Sequence, residues 1–233
     1  MEYTVVELPQ RRLVGVGVRT GNQRPDMAER IGRLWGEFLR PGGHRDLLDP
    51  VPGSPCFGVY TNYKWDTMEY DVLTACEARS CPPGFQEILL PAGKYAKFSF
   101  RGEVRSATGK AWEEIWAMNT LPRACLVDFE EYGPPDANGI ADIHIYIGLA
   151  DICQSCGMPM TAPEQHGTQA DGSSSPDYCV YCCQNGSFTA QCSMEEMIDF
   201  CLNCEAGKQL YPDQELARKQ MREYFSTLKR WKA

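Results

Sequence analysis

Three CxxC spacings crowd the last third of the chain and restrict what it can fold into more than any other feature. They are Cys153/Cys156, Cys179/Cys182 and Cys201/Cys204, and eight of the twelve cysteines lie between positions 153 and 204. In a reducing compartment, paired CxxC motifs read as metal ligands before they read as disulfides. The first two pairs, Cys153-Gln154-Ser155-Cys156-Gly157 and Cys179-Val180-Tyr181-Cys182, are separated by 22 residues. Each tight turn offers two thiolates, and four thiolates satisfy a tetrahedral Zn2+ without a large core. Four cysteines leave no open coordination position, so the zinc reads as a staple of the fold and not as a catalyst. Cys183 adjoins Cys182 and is an alternative fourth ligand. Cys201 and Cys204 follow a helical stretch, where an offset of three also suits two small apolar side chains on one face. A second metal there would need Cys183, Cys192 or His166 as its remaining ligands.

Charge divides the chain at the same place. Residues 151–204 hold seven Asp/Glu and no Lys or Arg, whereas residues 205–233 hold seven Lys/Arg against four Asp/Glu. The domain boundary is expected near Asp151, giving domains 1–150 and 151–233. Nucleic-acid binding by the cysteine-rich part is argued against, since neutralising phosphates takes Lys or Arg and four thiolates around Zn2+ add a net negative charge. The basic stretch 214–231 is amphipathic (Leu216, Met221, Tyr224, Phe225, Leu228) and reads as a helix packing on the rest of the chain. A protein partner for residues 151–233 is the other use for it. No apolar run approaches the roughly 20 residues that cross a bilayer. The start, Met1-Glu2-Tyr3-Thr4, lacks the pattern of a secretion signal, so a cytoplasmic protein is expected.

The first 150 residues read as a doubled unit. Residues 3–19 alternate like a strand, and Pro25-Asp26 open a helix with Met27, Ile31, Leu34, Trp35 and Phe38 on one face. Strands at 57–63 and 70–78 follow, joined by a loop holding Trp65. The order then repeats: strand 93–102, helix 106–120 with Trp112, Ile115 and Trp116, strand 126–132, a Gly/Pro-rich turn and strand 141–149. The pattern is βαββ twice, with Leu34-Trp35 echoed by Ile115-Trp116. It predicts an α+β fold, a mainly antiparallel sheet with helices on one face, followed by a small zinc ribbon and a terminal helix.

Aromatic residues are abundant in this doubled unit. Trp35, Trp65, Trp112, Trp116, Tyr60, Tyr132 and Tyr146 serve either as core or as the walls of a cleft between the halves. Glu130 lies two residues before Tyr132, so both project from one face of a strand. A carboxylate among aromatic faces suits a flat organic cation, with rings for stacking and cation–π attraction and the acid as counter-charge.

Several segments resemble the GyrI-like domain, the effector-binding module of multidrug-responsive bacterial regulators. They are Leu90-Pro91-Ala92-Gly93-Lys94-Tyr95-Ala96, the Trp-bearing helix after it, Phe129-Glu130-Glu131-Tyr132, and Ala141-Asp142-Ile143-His144-Ile145-Tyr146-Ile147. The resemblance covers about residues 1–150 and implies a central groove for bulky, aromatic, often cationic compounds, bound or sensed there. The Phe-Glu-x-Tyr strand supplies the pocket carboxylate in that family, which maps to Glu130 with Tyr132 beside it. Many such regulators carry an N-terminal helix-turn-helix. None precedes Met1, so direct transcriptional control is not expected. Some stand-alone relatives are hydrolases of electrophilic, cyclopropane-containing natural products. The alternative reading is therefore an enzyme in which Glu130 and Tyr132 orient water. A third reading is a transcription-related interaction module.

The last 83 residues resemble a zinc-ribbon family. The matching pieces are Cys153-Gln154-Ser155-Cys156-Gly157-Met158-Pro159-Met160, Asp177-Tyr178-Cys179, Gln184-Asn185-Gly186 and the closing Leu228-Lys229-Arg230-Trp231-Lys232. Cys183 stands where that family has an aromatic residue, which leaves the fourth ligand open.

Overall fold

The computed structural model describes residues 1–64, 67–118, 121–211 and 213–232. Two compact units divide it, Met1–Leu149 and Ala150–Ala233. Among the described residues no helix is long and apolar enough to cross a membrane.

Unit 1 runs β1 (Thr4–Leu8), β2 (Arg11–Gly21), α1 (Met27–Leu39), the single-turn α2 (His44–Leu47), β3 (Cys56–Lys64) and β4 (Glu69–Cys76). It continues with β5 (Gln86–Leu90), β6 (Gly93–Glu103), α3 (Val104–Trp116), β7 (Arg123–Tyr132) and β8 (Ile140–Leu149). The eight strands form one sheet in the order β1-β6-β8-β7-β3-β4-β2-β5, and every pairing is antiparallel. The two βαββ halves are β2-α1-β3-β4 and β6-α3-β7-β8, and they meet at the β3–β7 seam. The fold is α+β, with the predicted duplication.

Three details differ from the sequence reading. The single strand expected over 3–19 is two strands, broken at Pro9, which has no N–H to give to a ladder. The pieces part company: β1 pairs with β6 and β2 with β4 and β5. Strand β5 was not anticipated, since its leading Gln86-Glu87 hides the apolar end. Because β1 joins the second half and β5 the first, each half lends its leading strand to the other, which ties both into one sheet. Helix α3 starts at Val104, before the expected Ser106, because the Glu103 carboxylate accepts from the Arg105 and Ser106 backbone N–H groups. It ends at Trp116, and the last two positions of the expected helix, 119 and 120, lie outside the described residues.

Both long helices cover the same face. Leu34 and Phe38 of α1 pack with Val14, Val72 and Cys76 of β2 and β4. Ala111 and Ile115 of α3 pack with Ala96, Phe98, Ile145 and Ile147 of β6 and β8. The opposite face carries its own core, Leu13, Phe57, Val59, Leu73, Tyr95, Phe129 and Tyr146. The seam between β3 and β7 therefore lies between two helices and beneath neither.

Among its described residues unit 2 has three short hairpins, a 3-10 turn at Pro163–Gln165 and three α-helices. The hairpins are β9 (Asp151–Ile152) with β10 (Pro159–Met160), β11 (His166–Thr168) with β12 (Ser174–Cys179), and β13 (Cys183–Gln184) with β14 (Ser187–Phe188). The last turns at Asn185-Gly186, both at positive φ, the pairing that a two-residue hairpin turn favours. Helices α4 (Met194–Asn203), α5 (Glu205–Leu210) and α6 (Gln214–Phe225) follow. A Ser193/Glu196 capping box starts α4. Met197, Ile198, Leu202, Ala217, Phe225 and Leu228 close over Cys153, Cys179 and Cys182. The terminal helix expected over 214–231 stops at Phe225, and the chain beyond it turns back. The Arg230 N–H donates to the Gln154 carbonyl, and the Trp231 indole N–H to that of Ser155.

Candidate small-molecule groove and metal centre

The sheet register decides which side chains share the seam. Gly58 of β3 pairs with Glu130 of β7, which pairs with Ile145 of β8. These residues face the helices, and alternation places Asp128, Glu130 and Tyr132 there together. Glu130 is 1% exposed. Its carboxylate accepts three hydrogen bonds: from the Tyr60 hydroxyl at 2.9 Å, the Trp112 indole N–H at 2.5 Å and the Tyr132 hydroxyl at 2.7 Å. All three donors are neutral. Burial pushes the Glu130 carboxyl pKa up, and the three hydrogen bonds pull against that rise without cancelling it. Burial, reinforced by the neighbouring Glu130 charge, lifts Tyr60 and Tyr132 well above the ordinary phenol range, so both stay protonated and donate.

Rings close over the acid from both helices. Trp35 of α1 meets Tyr132 edge-on at 5.2 Å, and Trp112 of α3 meets Tyr60 at 5.2 Å. Tyr60 continues to Tyr70 and Tyr70 to Tyr63, each at 5.9 Å. An indentation beside this run is lined by Asn22, Tyr63, Tyr70 and Trp116, among others. An acid held by neutral donors and walled by aromatic faces offers an organic cation a counter-charge already stripped of water.

Glu130, Tyr132, Tyr60, Trp35 and Trp112 are thus brought together. Trp116 lies one step away, 6.2 Å from Trp112 and 42% exposed. Trp65 lies outside the described residues. Tyr146 does not join the group: it pairs with Phe129 and therefore sits on the opposite face, stacked on that ring at 4.4 Å and 12°. The sequence reading missed Gly58. A Cβ there would lie 2.5 Å from Glu130 Oε2 and 3.2 Å from Trp35 Cζ2, so the bare glycine leaves the carboxylate its room. Gly58→Ala is expected to displace Glu130, weaken binding and cost about 1–3 kcal/mol of stability through overpacking. Ligand titration and thermal unfolding of the two proteins check this.

In unit 2 the sulfurs of Cys153, Cys156, Cys179 and Cys182 all lie within 4.8 Å of one another. The first pair sits in the β9–β10 turn. There the Cys153 N–H donates to the Met158 carbonyl, and the Gly157 N–H, at φ +74, donates to the Cys153 carbonyl. The second pair starts at the last residue of β12, with the Cys179 N–H donating to Cys153 Sγ at 3.3 Å. Four converging sulfurs, one already receiving an amide hydrogen bond, are the donor set of a tetrahedral soft-metal site. Cys183 is outside it, its thiol directed to the Thr168 carbonyl. Cys201 and Cys204 are also outside it: their thiols point to the carbonyls of Cys156 and Cys201.

Comparison with known proteins agrees with both units. No curated protein sequence matches the chain. Among solved structures, the integron cassette protein from the mobile metagenome of Vibrio cholerae is 27% identical with a TM-score of 0.52; the match covers 63% of this chain and 95% of that one. A "Putative bacterial transcription regulation protein" from Staphylococcus aureus MU50 is 21% identical, TM-score 0.50, covering 64% of this chain and 99% of that one. SAV2435, solved bound to tetraphenylphosphonium, is 21% identical, TM-score 0.50, covering 63% of this chain and 94% of that one. The family described as "Putative zinc ribbon domain" matches residues 152–232. The family described as "Integron-associated effector binding protein" matches residues 4–149, more than half of the chain. With its GyrI-like effector-binding fold followed by a zinc ribbon, the chain belongs to the integron-associated effector binding protein family.

Proposed function

We propose that the chain captures bulky, aromatic, positively charged organic molecules in the groove between α1 and α3, with Glu130 as counter-charge. The observation that carries this reading is the bonding of Glu130, a fully buried carboxylate whose partners among the described residues are all neutral. Such a group is costly to bury and is rewarded by a cation. The rings that cover it are those a delocalised cation stacks on. A tetraphenylphosphonium complex of a protein with the same fold is consistent with this ligand class. Entry requires Trp35, Tyr132, Tyr60 and Trp112 to part, so association is expected to be slower than diffusion.

The test is a titration with an aromatic quaternary cation, followed by tryptophan fluorescence. Saturable quenching that weakens in Trp112→Leu supports the reading. Quenching that never saturates, or that is indifferent to Trp112 and Trp35, sinks it. A hydrolase reading has less behind it: Glu130 is 1% exposed and enclosed by three side-chain donors, where a general base must reach the water it activates.

The pH dependence follows from the raised carboxyl. A permanently charged ligand does not titrate, so its affinity is expected to fall as pH drops through the Glu130 pKa, and to plateau above it. Flat affinity across the acidic range would argue that Glu130 takes no part.

For the second domain, residues 151–233, the reading is one structural Zn2+ held by Cys153, Cys156, Cys179 and Cys182. When bound, zinc links the two turns and supplies folding energy rather than chemistry.

A further inference from the structure

A second carboxylate lies at the same seam, on the same face of the sheet. Asp128 is two residues before Glu130 on β7, faces the helices with it, and is fully buried. It accepts from the Gly148 N–H at 3.0 Å and the Tyr63 hydroxyl at 2.8 Å, and it is ion-paired with Arg123. Arg123 lies five residues back on the same strand, and an odd offset in a regular strand puts two side chains on opposite faces. The β7–β8 register shifts between Arg123 and Asp128, and Cys125 sits at φ +55. That irregularity changes the parity and turns Arg123 back onto the groove side. Its guanidinium lies 4.1 Å from the centre of the Trp116 ring, and Trp116 neighbours the Trp112 that holds Glu130.

Among the described residues the seam therefore holds two buried acids, one with an internal cation stacked on an aromatic ring and one without. We propose that Arg123 sets the charge selectivity of the groove: by neutralising Asp128 it leaves one unpaired negative charge, so the site takes aromatic monocations and disfavours dications. This rests on the proposed role of Glu130. Unit charges several ångströms apart in a partly desolvated site interact strongly enough to change affinity by an order of magnitude. Without Arg123 the groove would carry two unpaired negative charges and favour a ligand with two positive ones.

The probes are N-methyl-4-phenylpyridinium, a monocation, and N,N′-dimethyl-4,4′-bipyridinium, a dication on the same two-ring frame. The parent is expected to prefer the monocation. Arg123→Gln is expected to shift the dication-to-monocation affinity ratio at least about tenfold toward the dication. Asp128→Asn leaves Arg123 unpaired and is expected to weaken the monocation at least about tenfold, and the dication more. The double variant Arg123→Gln/Asp128→Asn restores the parental ratio, and it keeps the test open if Arg123→Gln alone fails to fold. A purely structural ion pair would lower the melting temperature in these variants without moving the ratio, and that result overturns the inference. If the parent binds the monocation through Glu130 while the ratio stays fixed, only the role of Arg123 falls. If the parent binds neither probe, the role of Glu130 falls as well.

Discussion

Replacing Cys153 or Cys179 with Ser is expected to abolish the proposed binding of one zinc and, with it, the folded state of the second unit. The four sulfurs sit at the centre of the core that α4 and α6 close, with Met197, Ile198, Phe225 and Leu228 packed around them. Structural zinc contributes about 10–16 kcal/mol of apparent binding energy in small zinc domains. That is comparable with the whole stability of a typical domain, about 5–15 kcal/mol. Three thiolates and a hydroxyl hold the ion far less tightly, and the vacated cluster would leave polar sulfur groups in an apolar shell. Metal analysis should read one zinc per parent chain and close to none in Cys153→Ser. Circular dichroism should lose the signal of α4 and α6, and proteolysis should cut beyond Leu149. Cys183→Ser, Cys201→Ser and Cys204→Ser should each keep the metal, because those thiols point to carbonyl groups outside the cluster. Retention of zinc by Cys153→Ser, or its loss in Cys183→Ser, would mean a different ligand set.

The second large effect is expected at Glu130. Glu130→Gln keeps the size of the side chain and one accepting oxygen for Tyr60 and Trp112, removes the charge, and turns the other oxygen into an amide donor that the rotatable Tyr132 hydroxyl can meet by accepting. Losing a desolvated counter-charge costs about 2–5 kcal/mol at an interface. Affinity for an aromatic cation is therefore expected to fall about 30-fold or more. Stability should move the other way. The folded protein holds the Glu130 carboxyl at a raised pKa, so its contribution to stability is full below the unfolded pKa and is lost as pH rises through the folded one. Glu130→Gln should accordingly melt higher than the parent at neutral pH, and the gap should close on acidification as the parent protonates. Weaker binding together with greater stability is the signature of a functional buried charge. A variant that loses both would mark Glu130 as a structural residue.

Much of this arrangement was legible in the residues. The apolar spacing of α1 and α3 follows the helical period, and the βαββ repeat comes from their order. The pairing of Glu130 with Tyr132 needs only the two-residue period of a strand. The same period misleads where the register is unknown: Tyr146 belongs to the pattern of aromatic residues, but its pairing with Phe129 turns it to the other face. Strand β5 escaped because its leading Gln86-Glu87 hides the apolar end, and the exchange of β1 and β5 between the halves escaped because no local pattern encodes which strands pair. Gly58 matters through a neighbour 72 positions away in the chain, brought close by the register. Arg123 and Asp128 were hidden for a sharper reason. Their meeting requires an irregularity in β7, and the alternation rule that finds Glu130 places Arg123 on the wrong side. In the second unit, the spacing of the CxxC motifs named the four clustered cysteines, while the fold-back of residues 228–231 onto the first turn lay beyond it.

The proposed capture at Glu130 turns on the charge of the ligand, and one comparison isolates that charge. N-methyl-4-phenylpyridinium and 4-phenylpyridine, titrated at mildly alkaline pH where the second is neutral, differ by a methyl group and a positive charge. The parent is expected to bind the cation at least about tenfold more tightly, and Glu130→Gln to bind the two alike. Equal affinities in the parent, or a preference for the cation that survives in Glu130→Gln, would contradict the account.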